Sequence, residues 1–416
     1  MNSPKRALDD AYRREWAFVL AATVRVSGDL DIAEECVQDA FVSAMLTWTE
    51  RGIPDNPGAW LTTTARRKAL DVLRRDHTLR TKFPLLVEPD VDDTDPADLL
   101  EDSVVPDDRL RLVFTCCHPA LSHEAQTALT LRLVCGLSTG QIAKAFLVSE
   151  PTMAARITRG KKKIQVARIP FAMPTSENLG ERLDAVLTVI HLFFTAGHTT
   201  SSGETLVDRE IVSRSIDLAR LLQQLLPSEP EVSGLLALLL LMDARRDTRT
   251  DQEGHLVLLA DQDRAQWDAD LISEGQSLVR QALVSRPPGR FTLQAAIAAV
   301  HSEAVTYEQT DWTEVLGLYT ELVRVWPSPV VELNRAVAYA MVFGPQAGLA
   351  QIDALDSQGD LSGYAYLPAT RADLLRRMNR RAEAGEAYRA ALLLVDNDVE
   401  RAFLQSRLVE VTSGSS

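Results

Sequence analysis

Long apolar runs are missing from this chain. The longest uncharged apolar stretch, Leu235 to Met242, ends at Asp243, far short of the ~20 residues that a membrane span needs. The N-terminus also lacks the apolar core of a secretory leader, because Met1 to Trp16 carries Lys5, Arg6, Asp9, Asp10, Arg13 and Arg14. Both absences predict a cytoplasmic protein with no membrane partner. Cysteine is scarce: Cys36, Cys116, Cys117 and Cys135 show no repeated CxxC spacing. They fall on apolar positions of helical patterns, which predicts buried reduced thiols rather than a disulfide framework. Cys116, Cys117 and His118, with His123 nearby, are residue types that bind zinc, yet adjacent helical residues point apart, so no metal is expected. A phosphate-binding glycine loop and a nucleophile with its base are absent too; neither a cofactor nor catalytic activity is expected.

The period-two alternation of half-buried strands is nearly missing, whereas apolar residues recur at spacings of three and four almost throughout. That pattern predicts an all-α protein. A hydrophobic content of 46% beside 25% charged residues is ordinary for a folded soluble chain, and 416 residues suffice for several domains.

Charge is unevenly spread. The net charge is -14, but residues 1–168 hold 23 Lys/Arg against 24 Asp/Glu, so most of the excess acidity is C-terminal. Ten acids crowd residues 88–108 with no base among them; set aside, they leave the N-terminal region at about +9. Rich in Asp and Pro, with few large apolar residues, segment 82–106 cannot bury much and is expected to be a solvated linker.

Helices are predicted at 11–27, 31–51, 57–76, 107–118, 123–135, 139–147 and 151–168. Gly28-Asp29 and Gly52-Ile53-Pro54 mark breaks, Asp31 with Glu34 reads as an N-cap, and Gly136 as a C-cap. The domains expected are 8–81, the linker 82–106, 107–169, a helical extension 170–310, and repeats over 311–416. The repeats rest on Ala347, Gly348, Ala350 and Ala354 recurring as Ala384, Gly385, Ala387 and Ala391, the small-residue pattern of tetratricopeptide-like helical hairpins.

Two constellations carry chemistry. From Thr139 to Lys163 a short helix, a turn and a longer basic helix have the layout of a helix-turn-helix, with Ser138 or Thr139 capping the first helix and Pro151 in the first turn of the second. Met153, Ile157 and Ile164 are expected inward, leaving Thr152, Arg156, Arg159, Lys161 and Lys163 for phosphates and base edges. From Trp60 to Arg75, the bases Arg66, Arg67, Lys68, Arg74 and Arg75 interleave with apolar residues, a surface suited to a single-stranded backbone, with an aromatic ring to support an unstacked base. A third cluster, Asp261, Asp263, Asp268 and Asp270, reads as helix capping and ion pairing with Arg264 rather than a metal or catalytic site.

Three segments in order resemble sigma factors of the extracytoplasmic-function type. Ala33-Glu34-Glu35-Cys36-Val37-Gln38-Asp39-Ala40-Phe41 is similar to their polymerase-docking helix, Ala59-Trp60-Leu61 through Asp71-Val72-Leu73-Arg74-Arg75 to their promoter-melting helix, and Thr152 through Ile164 to their recognition helix. Thr115-Cys116-Cys117-His118-Pro119, Asp261 to Arg264 with Trp267-Asp268, and Leu333-Asn334-Arg335-Ala336 resemble the group with a tetratricopeptide-like extension. The resemblance implies that Glu35, Gln38 and Asp39 dock on core RNA polymerase. It assigns Trp60, Arg66, Arg67, Arg74 and Arg75 to the melted minus-ten element, and Thr152, Arg156, Arg159, Lys161 and Lys163 to duplex promoter DNA at minus thirty-five. In this group the extension stands in for a membrane-bound anti-sigma protein, which implies regulation and a protein partner for the repeats. Arg67 replaces an Asn of many relatives, and Ala154-Ala155 replace a frequent Lys-Ser, which leaves promoter preference open. Two other classes remain: a helix-turn-helix regulator whose C-terminal region binds a ligand or protein, and a scaffold whose repeats are the function.

Overall fold

The structure is a computed structural model that describes residues 4–82, 108–146, 148–175, 177–200, 205–285 and 287–413. Among the described residues it is predominantly helical, and the only β pairing is a lone bridge between Thr250 and Leu256. The chain forms two compact units, Met1–Val189 and Ile190–Ser416.

In the first unit α1 (Pro4–Ser27), α2 (Leu30–Arg51) and α3 (Pro57–Lys82) pack on one another. Their apolar stripes supply Trp16, Leu20, Val37, Phe41, Trp48 and Leu61, all buried. Full burial of a side chain such as Leu61 contributes roughly 1.5–3 kcal/mol. Gly28 takes a positive φ of 66° at the α1 to α2 turn, where a side chain would be strained. The cap of α2 corrects the sequence reading. Asp29 holds the position, its Oδ1 accepting from the Asp31 and Ile32 amides, and Asp31 lies in the first turn. An N-cap must be extended while its carboxylate turns back over the helix, and Asp29 has that backbone.

The second helical group holds α4 (Asp108–Cys116), α5 (His123–Leu129), α6 (Thr139–Ala145) and α7 (Glu150–Val166). The helix predicted over 123–135 is interrupted, since α5 gives way to a π-helical turn at Thr130–Val134. Leu131, Leu133 and Val134 of this wider turn and Cys135 just beyond it are buried, with Arg132 half-buried among them. Ser138 and Gln141 cap α6 reciprocally, in line with the sequence reading at Ser138, and Ser149 caps α7. Gly160 lets α7 approach α5: a Cβ there would lie 2.9 Å from Leu129. The linker placed at 82–106 falls outside the described residues beyond Lys82, the last residue of α3. All four cysteines are free and buried.

The division between units falls within α8 (Leu179–His198). The second unit continues with α9 (Arg209–Leu225), α10 (Pro230–Asp243), α11 (Ala269–Ser285), α12 (Arg290–Glu303) and α13 (Trp312–Val325). α10 carries the Leu-rich run Leu235 to Leu241 and is buried on nearly every side. Its Glu231 caps α12 from outside, accepting from the Phe291 and Thr292 amides at 2.9 and 3.1 Å. Successive hairpins follow: α14 (Pro329–Phe343) with α15 (Pro345–Asp356), then α16 (Tyr366–Arg377) with α17 (Arg381–Leu392), closed by α18 (Asp398–Ser413). The repeated small residues sit where paired helices touch. A Cβ on Gly348 would meet that of Ala340 at 2.3 Å, and Ala384, Ala387 and Ala391 are buried. Asp263 and Asp268 cap helical turns, as read from the sequence. Arg264 differs: it donates to the carbonyls of His301 and Ala304 and stacks over Trp267, because the frayed end of α12 offers it unpaired acceptors.

Candidate nucleic-acid interface

Helix α2 buries Ala33, Glu34, Cys36, Val37 and Ala40, so Glu35, Gln38 and Asp39 lie together on its outer face. Continuing that face at helical spacing, Val42, Met45 and Leu46 are 54%, 54% and 62% exposed. Composition alone did not reveal this apolar extension of the acidic stripe; the signal was the spacing 35, 38, 39, 42, 45, 46. An exposed apolar row beside charges marks a protein-binding surface more often than a solvated face.

Helix α3 divides the residues assigned to it. Arg67, Arg74 and Arg75 are exposed, Arg74 lying 3.8 Å from Asp71. Trp60 is half-buried and meets Trp48 edge-on at 5.7 Å between ring centres. Arg66 turns inward: burial, and then the neighbouring Arg25, pull its guanidinium below the usual arginine range. Lys68 pairs with Asp39 at 3.5 Å, which ties α3 to the acidic stripe.

On α7, Met153, Ile157 and Ile164 are buried. Thr152, Arg159 and Lys163 are exposed and Arg156 is half-buried. Arg156, Arg159 and Lys163 line a concavity of about 400 Å³ that also includes Ser122 and Glu124 at the start of α5.

Lys161 behaves differently from its neighbours. Its side chain is only 10% exposed and donates to Asp31 Oδ1 at 2.7 Å and Glu34 Oε2 at 2.5 Å. Burial alone would lower its pKa, but the two carboxylates outweigh that and leave it raised. Glu34, 8% exposed, also accepts from Arg132, whose guanidinium reaches the Leu137 carbonyl as well. Around this ionic centre the Trp16 Nε1 donates to the Leu133 carbonyl at 3.0 Å, and the Tyr12 hydroxyl to that of Gly136, also at 3.0 Å. Gly136, at φ 69°, gives Trp16 its room. The two helical groups of the first unit are therefore joined by a seam of paired charges and aromatic rings.

The comparisons fit this geometry. Residues 11–78 match the model of Sigma-70 region 2, and 111–164 that of Sigma-70, region 4. Over 173 residues the chain is 27% identical to the probable ECF RNA polymerase sigma factor SigI of Mycobacterium tuberculosis, covering 40% of this chain and 58% of that protein. Over 153 residues it is 29% identical to the ECF RNA polymerase sigma factor SigK of a Mycobacterium species, covering 36% and 76%. The chain belongs to the extracytoplasmic-function group of sigma-70 factors. As a sigma factor it serves transcription initiation, a role that implies core RNA polymerase and promoter DNA as partners. Region 2 of this sigma factor is α1 to α3, and region 4 is α4 to α7. Beyond them, residues 182–283 match a family of unknown function (DUF6596). An uncharacterized protein of Rhizobium meliloti is 43% identical over 391 residues, covering 94% of this chain and 92% of that protein, so the extension is shared with it. No solved structure matches the sigma factor. No described helix is long and apolar enough to cross a membrane.

Proposed function

We propose that the outer stripe of α2, Glu35, Gln38 and Asp39 continued by Val42, Met45 and Leu46, docks this sigma factor on core polymerase. Arg67, Arg74 and Arg75 of α3 then hold the opened minus-ten strand, with Trp60 and Arg66 as half-buried supports. Thr152, Arg156, Arg159 and Lys163 of α7 read the minus-thirty-five duplex, where a bidentate base contact is worth roughly 1–3 kcal/mol of discrimination. Lys161 joins them only when the seam opens, since Asp31 and Glu34 otherwise hold it. The structure is on this reading a closed resting form, and docking on polymerase separates region 2 from region 4. The helical extension regulates that opening, with a protein partner on its hairpins. The observation that carries the reading is the ordered set of three surfaces, acidic and apolar on α2 and basic on α3 and α7, within the two matched sigma regions.

The test is transcription with purified core polymerase and promoter DNA. Specific initiation is the expected result, with Arg74→Ala plus Arg75→Ala keeping polymerase binding and losing the open complex. Duplex binding without polymerase would instead favour a helix-turn-helix regulator, and a protein that never comigrates with core enzyme would end the proposal.

A further inference from the structure

The second unit holds a cavity of about 390 Å³ between α10, α12, α13 and α14. Most of its wall is apolar, built from residues such as Leu238, Trp267 and Trp326. Polar groups interrupt that wall, among them the guanidinium of Arg245, the hydroxyl of Tyr319 and the imidazole of His301, with His191, Gln294, Ser302 and Asn334 also in the lining. Among the described residues no ion pair, side-chain hydrogen bond or ring contact involves the Arg245 guanidinium, and His301 Nδ1 is buried without a hydrogen-bond partner. Buried cations in folded proteins are ordinarily paired, because an unpaired one forfeits its hydration and gains nothing in return. Here the cation is half-buried and lines a cavity whose volume suits a small organic molecule. Burial lowers the Arg245 pKa, and burial together with Arg245 and Arg264 brings His301 down to about 4, so that imidazole is neutral at pH 7. Arg245 is the single charged side chain in the wall.

We propose that this cavity binds a small monocarboxylate with an apolar body, the carboxylate on Arg245 and Tyr319 and the body among Leu238, Trp267 and Trp326. One cation matches one anionic charge; a phosphate dianion would leave a charge uncompensated against an apolar wall. Guanidinium also suits a carboxylate through paired parallel hydrogen bonds. The inference stands apart from the reading of the DNA-binding helices, since no residue is shared.

The experiment is calorimetric titration of the full-length protein with 1-naphthoate and with its uncharged isostere 1-naphthamide. Naphthoate is expected to bind saturably and at least tenfold more tightly than the amide. Arg245→Met should erase that preference while circular dichroism stays unchanged, and Ala298→Phe, which fills the apolar wall, should weaken both probes. Equal affinity of the two probes for the unaltered protein, no saturable binding up to millimolar concentration, or an unchanged preference in Arg245→Met each overturns the proposal. Should Arg245→Met fail to fold, the two-probe comparison on the unaltered protein and the Ala298→Phe variant decide it.

Discussion

Glu34 is buried and Arg245 is half-buried at a cavity wall, and the surroundings of these two charged groups are opposite. Glu34 is met by Lys161 and Arg132, each from region 4, whereas no described carboxylate pairs with Arg245, which faces a cavity. A buried charge that is paired fastens two pieces of chain together. One left unpaired costs stability, and a fold that retains it holds a place for something else. The first unit thus uses a buried charge to join two helical groups, and the second sets a half-buried one in a cavity wall.

The largest expected effect tests the seam. Glu34→Ala leaves Arg132 without a carboxylate and Lys161 with the exposed Asp31 alone, and should cost about 3 kcal/mol, read from the urea midpoint. Replacing Glu34, Arg132 and Lys161 all by Met should recover most of that loss. If the single variant is neutral, the seam does not form in solution and the contrast with Arg245 collapses.

Acid should strike the other unit. Burial takes His191 and His301 down to about 4, with Arg290 and Arg245 respectively adding to it, and takes His198 down to about 2 beside Arg249. Their folded pKa values lie below the unfolded 6.5. The stability they carry is therefore complete above pH 6.5 and drains as pH falls toward 4, by up to roughly 1.4 kcal/mol per pH unit for each histidine. Urea midpoints at pH 7 and pH 5, followed through Trp267, Trp312 and Trp326 with the other tryptophans replaced by Phe, should differ by a few kcal/mol; His198→Asn should shrink the gap. A pH-independent midpoint would mean that these rings are hydrated.

Arg245→Met gives the sharpest opposite sign. Removing an unpaired cation should raise the midpoint of the free protein by roughly 1–3 kcal/mol, where Glu34→Ala lowers it. Destabilisation instead would reveal a partner for Arg245. The smallest effect is expected at Gly136, where Ala must take φ 69° and crowd Trp16 at 3.1 Å, costing about 1–2 kcal/mol in the same assay.

The helix-turn-helix was legible because its cap and its apolar period use neighbouring residues: Ser138 before the first helix, Pro151 at the start of the second, Met153 with Ile157 and Ile164. Glu35, Gln38 and Asp39 were placed on one outer face for the same reason. Lys161 was not legible as a seam residue, since in sequence it is one of three consecutive lysines and only its distance from Asp31 and Glu34 distinguishes it. Arg66 likewise looks like Arg67 until α3 packs and buries one of them. The N-cap of α2 went to Asp29 rather than Asp31 because backbone conformation, not residue type, assigns a cap between two aspartates.

Local rules of spacing, capping and charge thus determined by themselves that the chain is helical, where its helix-turn-helix lies and which helices carry cations, because each depends on residues within a turn or two of one another; the sigma regions were legible only through resemblance. Which cations are exposed, which are clasped, and which one lines a cavity were decided only by the tertiary structure. Pairing and desolvation depend on groups more than a hundred residues away, such as Glu34 and Lys161, or on walls assembled from four helices.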